Sequence, residues 1–344
     1  MDNKIQIANI LLTQRCNLNC SYCHIVKDYQ DKPNSYPDMK YYTKNELSAD
    51  EWMKIFNRLK KNNPDILFIL YGGEPFLYND LVDLLKNMNK EDMNYTIISN
   101  NSGGIQSRIW AASEQVSFRG FTSSVDPWVA DPKWIDVPPQ DRSDAIQKSF
   151  DGLQRLTAIQ VNGYAKDVVA EITCDSRNVH LLHDTVSLLT ERDIWSSITM
   201  IDKKKSPYYD FASEFDDELL VQQTPEVREQ FDKIIKSKTP LLVHIPQLLD
   251  TLYNDLPCDR YCGIDQDIHN VTISPDGKFR LCLRIRGVDI PKCELDDLFT
   301  SHGIIKLKFN KELHMDYTKF CKGCNWTCVN MSRFFKDQII DHGI

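Results

Sequence analysis

Short runs of β-branched and aromatic residues alternate with amphipathic stretches between residues 6 and 201. The strand candidates lie at 6–13, 66–71, 95–99, 120–125, 168–173 and 197–201. The helix candidates between them lie at about 44–61, 78–89, 104–113, 143–159 and 178–191. This alternation predicts βαβ units and a parallel sheet, with the chemistry in loops at the carboxyl ends of the strands. Six strand units are fewer than the eight of a complete TIM barrel, so the predicted α/β fold is either an open sheet or a closed arrangement of the partial (β/α)6 TIM barrel type.

The alternation fades after about residue 203, and the cysteine content rises toward the C-terminus. We therefore predict three regions: a partial-barrel core over 1–205, a helical connecting segment over 206–255 and a cysteine-rich domain over 256–344. Within the last region, the sequence VTIS, a Pro-Asp-Gly turn and KFRLC predict a β-hairpin.

The composition excludes several classes of protein. A chain of 344 residues with 42% hydrophobic side chains buries a large core, so its 11 cysteines do not compensate for a small one. No apolar run spans a bilayer, and the N-terminus lacks the features of a secretory signal, which predicts a cytoplasmic protein without a membrane partner. The net charge of −8 gives no general attraction to nucleic acid, so nucleic acid is not an expected partner.

The cysteines fall into two groups. Three lie between residues 16 and 23, seven lie between 258 and 328, and Cys174 stands alone between them. In a cytoplasmic protein, clusters of this kind predict metal sites rather than a disulfide framework. Cys16, Cys20 and Cys23 follow the first strand directly. Three thiolates can hold three irons of a [4Fe–4S] cluster and leave the fourth iron open, whereas a structural zinc site needs four ligands.

Four motifs in this order resemble those of the radical S-adenosylmethionine (SAM) enzymes. The resemblance rests on Cys16-x3-Cys20-x2-Cys23, on Gly72-Gly73-Glu74-Pro75, on Ser123-Ser124-Val125-Asp126, and on Arg142 placed eight residues before Phe150. It covers about residues 6–201. The resemblance implies a [4Fe–4S] cluster that binds SAM and cleaves it reductively to a 5′-deoxyadenosyl radical.

The same resemblance implies which residues form the site. The cluster ligands would be Cys16, Cys20 and Cys23. The residues that bind the cofactor would be Tyr22, Gly72, Gly73, Glu74, Pro75, Ser99, Asn100, Ser124 and Arg142. Glu74 would accept from the methionine ammonium, and Arg142 would pair with its carboxylate. The two glycines would let the backbone approach SAM closely. Ser99 and Asn100 would contact the ribose, although S-N-N stands here where the family often has T-N-G.

The C-terminal cysteines resemble the SPASM and Twitch extensions, which bind auxiliary [4Fe–4S] clusters. The ligands for one or two such clusters would be Cys258, Cys262, Cys282, Cys321, Cys324 and Cys328. The tail lacks the longer second interval and the further cysteine of the full SPASM pattern. With Cys293 included, seven cysteines are one short of two four-thiolate clusters. Zinc remains open, because paired cysteines with this spacing also bind zinc.

Three further residues are candidates for catalysis. Cys174 ends the fifth strand, where a thiol can donate a hydrogen atom to a substrate radical; alternatively, it is a small buried side chain. Asp126 and Asp175 are candidate bases near the mouth of the barrel.

The sequence thus predicts a radical SAM oxidoreductase that abstracts hydrogen from a peptide or protein side chain, leading to oxidation, cross-linking or maturation. The alternative enzyme is a dehydrogenase or epimerase of a sugar-like or aminocyclitol-like small molecule. The first strand begins near residue 6, which leaves no room for the N-terminal peptide-binding domain of many relatives and favours a separate carrier or the small-molecule alternative. A third hypothesis is an interaction protein that is stabilised by zinc and has no redox chemistry. Either enzyme would need an external electron donor of the flavodoxin or ferredoxin type.

Overall fold

A parallel β-sheet forms the centre of the computed structural model, which describes residues 5–18, 46–201, 217–243, 246–254 and 270–280. Its strand order is β6-β5-β4-β3-β2-β1-β7-β8. Strands β1 to β7 run parallel to their neighbours, and β8 is antiparallel to β7. The strands are β1 Ile7–Thr13, β2 Leu67–Gly72, β3 Asn94–Ser99, β4 Phe118–Ser124, β5 Ala165–Cys174, β6 Trp195–Met200, β7 Asn270–Ile273 and β8 Phe279–Arg280. The prediction of an α/β fold with a parallel sheet is confirmed, and the sheet is consistent with a partial TIM barrel.

Helices connect the strands in the order that the sequence predicts. They are α1 Ala49–Asn62, α2 Leu81–Lys90, α3 Gln106–Ser113, α4 Pro132–Ile135, α5 Asp144–Val161, α6 Leu182–Thr190, α7 Pro225–Ser237 and α8 Pro246–Asn254. Helix α1 begins with a capping box between Ser48 and Glu51, which satisfies two free N–H groups. Helices α7 and α8 fall within the predicted connecting segment. Among the described residues, no helix is long and apolar enough to cross a bilayer.

Two predicted helix starts differ in detail from the structure. Ser143 precedes α5 in an extended conformation, but its side chain makes no capping hydrogen bond. Helix α6 begins at Leu182 rather than near Asn178, because a 3₁₀ turn, Val179–Leu181, comes first. The Asn178 Oδ1 instead accepts from the Asp175 N–H at 2.9 Å, and this contact closes the turn after β5.

The two faces of the sheet differ in burial, as the residues of β5 show. Val168, Ala170, Ile172 and Cys174 are buried in the hydrophobic core together with residues of the surrounding helices. The alternate residues of the strand, at 169, 171 and 173, are only half-buried on the opposite face. Successive strand residues point to opposite sides of a sheet, so one side packs against helices and the other lines the inner face of the partial barrel.

The predicted hairpin is confirmed, and it joins the barrel sheet. Strand β7 pairs in parallel with β1, and Gly277 takes a positive φ of 76° in the turn before β8. The turn also accepts a hydrogen bond at its Pro275 carbonyl from the Leu47 N–H, at 3.0 Å. Cys282 and the later cysteines lie outside the described residues, so the auxiliary domain and the three predicted regions stay predictions.

Two glycines determine how closely β2 approaches the end of β1. A Cβ added to Gly72 would lie 2.4 Å from the Thr13 carbonyl oxygen, and one added to Gly73 would lie 2.3 Å from that of Arg15. Gly73 N–H donates to the Thr13 oxygen at 2.8 Å, and Glu74 N–H donates to the Arg15 oxygen at 2.7 Å. Only a residue without a side chain fits between these backbones.

We expect Gly73→Ala to lower the free energy of unfolding by about 1–3 kcal/mol or more, because the atoms in the way are backbone atoms that cannot rotate aside. Gly103→Ala is the matched control, since its added Cβ meets nothing closer than 3.8 Å. The control should change stability by less than about 1 kcal/mol. Urea denaturation of the two variants and the wild type measures both values, and equal stability of the two variants would contradict the packing argument.

Candidate active site

The described site residues lie at the carboxyl ends of β1 to β5, as the predicted topology requires. The structure brings Cys16, Glu74, Ser99 and Asn100 into one hydrogen-bonded group. It does not connect Arg142, Cys174 or Asp175 to that group through any hydrogen bond among the described residues. Cys20, Tyr22, Cys23 and the predicted auxiliary ligands lie outside the described residues.

Cys16 lies three residues beyond the end of β1, and two N–H groups from the described residues point at its sulfur. The Leu18 N–H donates to Sγ over 3.4 Å, and the Asn100 amide donates over 3.7 Å. Hydrogen bonds to sulfur stabilise a thiolate, which is the form that ligates iron. The described part of the triad therefore fits the cluster that the sequence predicts.

A buried ion pair fixes the backbone that leads to Cys16. Arg15 Nη2 donates to Glu46 Oε2 at 2.7 Å, and Thr13 Oγ1 donates to Glu46 Oε1 at 2.5 Å. The Thr13 hydroxyl also accepts from the Arg15 N–H at 3.1 Å. Only 8% of the Glu46 side chain is exposed. We call these contacts of Glu46 with Thr13 and Arg15 the clamp. The sequence does not predict it, because Glu46 lies far along the chain from Thr13 and belongs to no motif.

The Glu74 carboxylate joins the loops after β2 and β3. Its Oε1 accepts from the Phe76 N–H at 3.1 Å and from the Ser99 hydroxyl at 3.0 Å. Its Oε2 accepts from the Asn100 N–H at 2.8 Å. The side chain is fully buried, and this burial raises the pKa of Glu74 to about 7, although the three hydrogen bonds and nearby Lys148 lower it. Glu74 therefore titrates near neutral pH.

The side chain of Asn100 belongs to a directed chain of hydrogen bonds around Cys16. Its Nδ2 donates to Asn17 Oδ1 at 3.0 Å, and its Oδ1 accepts from the Ser102 N–H at 2.9 Å. Asn17 Nδ2 in turn donates to the Ser102 hydroxyl at 2.7 Å. Ser99 and Asn100, which the resemblance implies as ribose contacts, therefore direct their side chains to Glu74 and Cys16.

Arg142 is held by its own segment of the chain. Its guanidinium donates to the carbonyl oxygens of Trp134 and Ile135, each at 3.1 Å, and to the side chain of Gln147 at 3.2 Å. It also stacks on the ring of Phe150, with 3.8 Å between the guanidinium carbon and the ring centre. These contacts order the loop between β4 and α5. Among the described residues, the guanidinium thus donates only to uncharged oxygens, through three of its N–H groups.

The three candidates for catalysis lie in different environments. Asp126 is buried, and its Oδ1 has no hydrogen-bond partner among the described residues; burial and the nearby Asp175 raise its pKa. Asp175 is paired with Arg177, with 2.5 Å between Oδ2 and Nη2. Cys174 has no exposed surface, and burial raises the pKa of its thiol. The burial of Cys174 fits the interpretation of a small core side chain.

Glu171 is a polar residue of the inner face that the sequence reasoning did not select. It lies on β5 between Ser124 of β4 and Ser197 of β6 in the strand register, and it accepts from the Thr199 hydroxyl. Burial raises the pKa of Glu171, while the hydroxyls of Thr199 and Ser197 lower it. The signal in the sequence is a single glutamate within the β-branched run VVAEIT, between two apolar residues, Ala170 and Ile172, that are buried on the opposite face.

Comparison with known proteins gives consistent similarities. Residues 10–111 match the family model of the radical SAM superfamily. GTP 3′,8-cyclase of Aquifex aeolicus (strain VF5) is 29% identical over 116 residues, which are 33% of this chain and 33% of that protein. The match thus spans about a third of the length of this curated relative.

Solved structures of SuiB from Streptococcus suis have a similar fold. SuiB bound to SAM superposes with a TM-score of 0.61 at 17% identity, covering 96% of this chain and 75% of that one. SuiB bound to its precursor peptide SuiA superposes with a TM-score of 0.59 at 16% identity, covering 96% and 73%. At this level of identity, the similarity shows a shared fold.

The raised pKa of Glu74 predicts a pH-dependent stability. Because the folded protein binds this proton more tightly than the unfolded chain, the contribution is complete below pH 4.5 and is lost as the pH rises to about 7. The wild-type protein should lose about 3 kcal/mol over this interval through Glu74. Urea denaturation of the metal-free protein at pH 5 and pH 8 measures the loss.

Glu74→Gln supplies the comparison, because glutamine does not titrate. The free energy of unfolding of the wild type minus that of Glu74→Gln should decrease as the pH rises from 5 to 8, because only the wild type loses stability. A value that stays constant or increases would contradict the assignment of a raised pKa to Glu74.

Proposed function

We propose that this chain, whose residues 10–111 match the family model of the radical SAM superfamily, is a radical SAM enzyme that acts on a peptide or protein side chain. It would cleave SAM reductively and abstract hydrogen from the substrate, with oxidation, cross-linking or maturation as the outcome. The observation that carries the proposal is the hydrogen-bonded group of Cys16, Asn100 and Glu74. It links the first cysteine of the triad to the glutamate of the Gly-Gly-Glu-Pro motif.

The thiolates of Cys16, Cys20 and Cys23 would hold a [4Fe–4S] cluster. When bound together, the cluster and SAM supply the 5′-deoxyadenosyl radical that takes the hydrogen atom. Cys16 fits this assignment through its position at the carboxyl end of β1 and the two N–H groups directed at its sulfur. The chain would keep the ligand loop in place through the clamp of Arg15 and Glu46.

Glu74 would accept a hydrogen bond from the ammonium of SAM. An ionised carboxylate has about four acceptor positions, and three of them are used by Phe76, Ser99 and Asn100. One position remains for a ligand. An ammonium beside Glu74 would lower its pKa from about 7 and keep the carboxylate ionised at neutral pH. Binding of SAM would therefore release a proton from Glu74.

The other proposed SAM contacts have less direct roles. Gly72 and Gly73 would act by packing the β2 loop on the β1 backbone, which sets the position of Glu74. Pro75 begins the 3₁₀ turn whose Phe76 N–H bonds to Glu74. Ser124 ends β4 beside Glu171 on the inner face, where a ligand above the sheet would meet it.

A peptide substrate is supported by the similarity to SuiB, which has been solved with its precursor peptide SuiA. The inner face also offers polar groups for such a substrate. Glu171, Ser197 and Thr199 form a hydrogen-bonding cluster on β5 and β6. One or two auxiliary [4Fe–4S] clusters, a donor of the flavodoxin or ferredoxin type and a cytoplasmic location complete the proposal.

Cys16→Ala tests the role of the triad. Loss of one of three ligands should abolish the formation of 5′-deoxyadenosine by anaerobic, reduced protein, because a cluster held by two thiolates does not present the open iron correctly. Chromatography of the reaction mixture measures the product. Cys174→Ala is the matched control, because it removes a core cysteine and leaves the triad complete. Undiminished cleavage of SAM by Cys16→Ala would contradict the proposal.

The mass of the product tests the substrate class. Synthetic peptides whose genes neighbour the gene of this protein are incubated with it anaerobically. The product should have lost two hydrogens, as oxidation or cross-linking requires. A product of unchanged mass in H₂O that takes up one solvent deuterium in D₂O would instead indicate epimerisation. Turnover of an aminocyclitol but of none of the peptides would contradict a peptide substrate.

A further inference from the structure

Asn100 contacts Cys16 through its side chain and Glu74 through its backbone. Its Nδ2 is 3.7 Å from Cys16 Sγ, and its backbone N–H donates to Glu74 Oε2 at 2.8 Å. One short segment after β3 therefore contacts the first ligand of the proposed cluster and the proposed SAM-binding glutamate. Among the hydrogen bonds between described residues, Leu18 contacts only Cys16, and Phe76 and Ser99 contact only Glu74 of this pair.

The orientation of this amide follows from its partners. The Ser102 backbone N–H, a donor only, points at Asn100 Oδ1 at 2.9 Å. The opposite end of the amide must therefore be the nitrogen, and its two hydrogens are directed to Cys16 Sγ and to Asn17 Oδ1. The Asn17 amide follows from this orientation: its oxygen accepts from Asn100 Nδ2, so its nitrogen faces the Ser102 hydroxyl, which accepts. Both donor hydrogens of Asn100 are thus used within the site.

We propose that Asn100 is a positioning residue for the cluster: its amide holds the Cys16 sulfur and raises the reduction potential of the iron–sulfur centre. The inference rests on the proposed function, since it requires a cluster on the triad. Reduction adds a negative charge that is shared with the ligand sulfurs, and an N–H donor at one of them stabilises the reduced form. Ligand orientation by such outer contacts is general for metal sites.

The test measures the midpoint potential rather than turnover. Protein reconstituted anaerobically with iron and sulfide is titrated with dithionite and followed by electron paramagnetic resonance. The signal that changes on addition of SAM identifies the cluster on the triad and separates it from auxiliary clusters. Asn100→Ala removes the donor, and Asn100→Asp replaces it with an acceptor. Both should shift the potential to more negative values, with the larger shift for Asn100→Asp.

Asn162→Ala is the matched control. It removes an exposed side-chain amide that donates to the Ala158 carbonyl at the C-terminus of α5, outside the site, so its potential should equal that of the wild type. An unchanged potential in both Asn100 variants would overturn the inference. If both variants lose iron while their thermal unfolding is unchanged, the amide is needed to hold Cys16, and the inference is supported. If they lose iron because the whole chain unfolds, the role is merely structural and the inference fails.

The proposed function fails by a different result. Wild-type protein that assembles no SAM-sensitive cluster would refute it before any Asn100 variant is compared.

Discussion

The buried carboxylate of Glu74 is the interaction on which the rest of the site depends. It accepts hydrogen bonds from the loops after β2 and β3, and its own N–H donates to the Arg15 carbonyl after β1. Three neighbouring strands are thereby joined at their carboxyl ends by one residue. Burying an ionised carboxylate costs free energy, and here three donors offset part of that cost, which is why the pKa of Glu74 is still raised.

Close backbone packing makes this interaction possible. Glu74 reaches Arg15 because Gly72 and Gly73 leave no side chain between β2 and the end of β1. The same approach sets where Cys16 begins its loop, and the pair of Arg15 with Glu46 keeps that backbone in place. The glycines of the motif therefore act on the cysteine loop through the protein backbone. This packing requires glycine at both positions whether or not they also contact a ligand.

The fold was predictable because each β-branched run is followed by an amphipathic helix. All six strands and five helices form within a few residues of the positions that the sequence predicts. The pairing of β7 with β1 was not predictable, since nothing in VTIS specifies which strand it joins. Strand pairing depends on contacts between distant residues, which local patterns do not encode.

Site residues were predictable where a reactive residue type occurs at a motif's spacing. They were not predictable where the role of a side chain depends on which distant residues it contacts. The motifs identify Cys16 and Glu74, but they do not indicate that the amide of Asn100 points at sulfur or that Arg142 stacks on Phe150. Glu46 and Glu171 carry no motif at all. Their environments arise only when segments far apart in the chain meet, as when Glu46 bonds to Thr13.

The metal content of the anaerobically purified protein tests the central claim most directly. The account predicts brown protein with iron and sulfide in equal amounts, and an electron paramagnetic resonance signal of the reduced cluster that changes when SAM is added. Colourless protein that contains only zinc would contradict it.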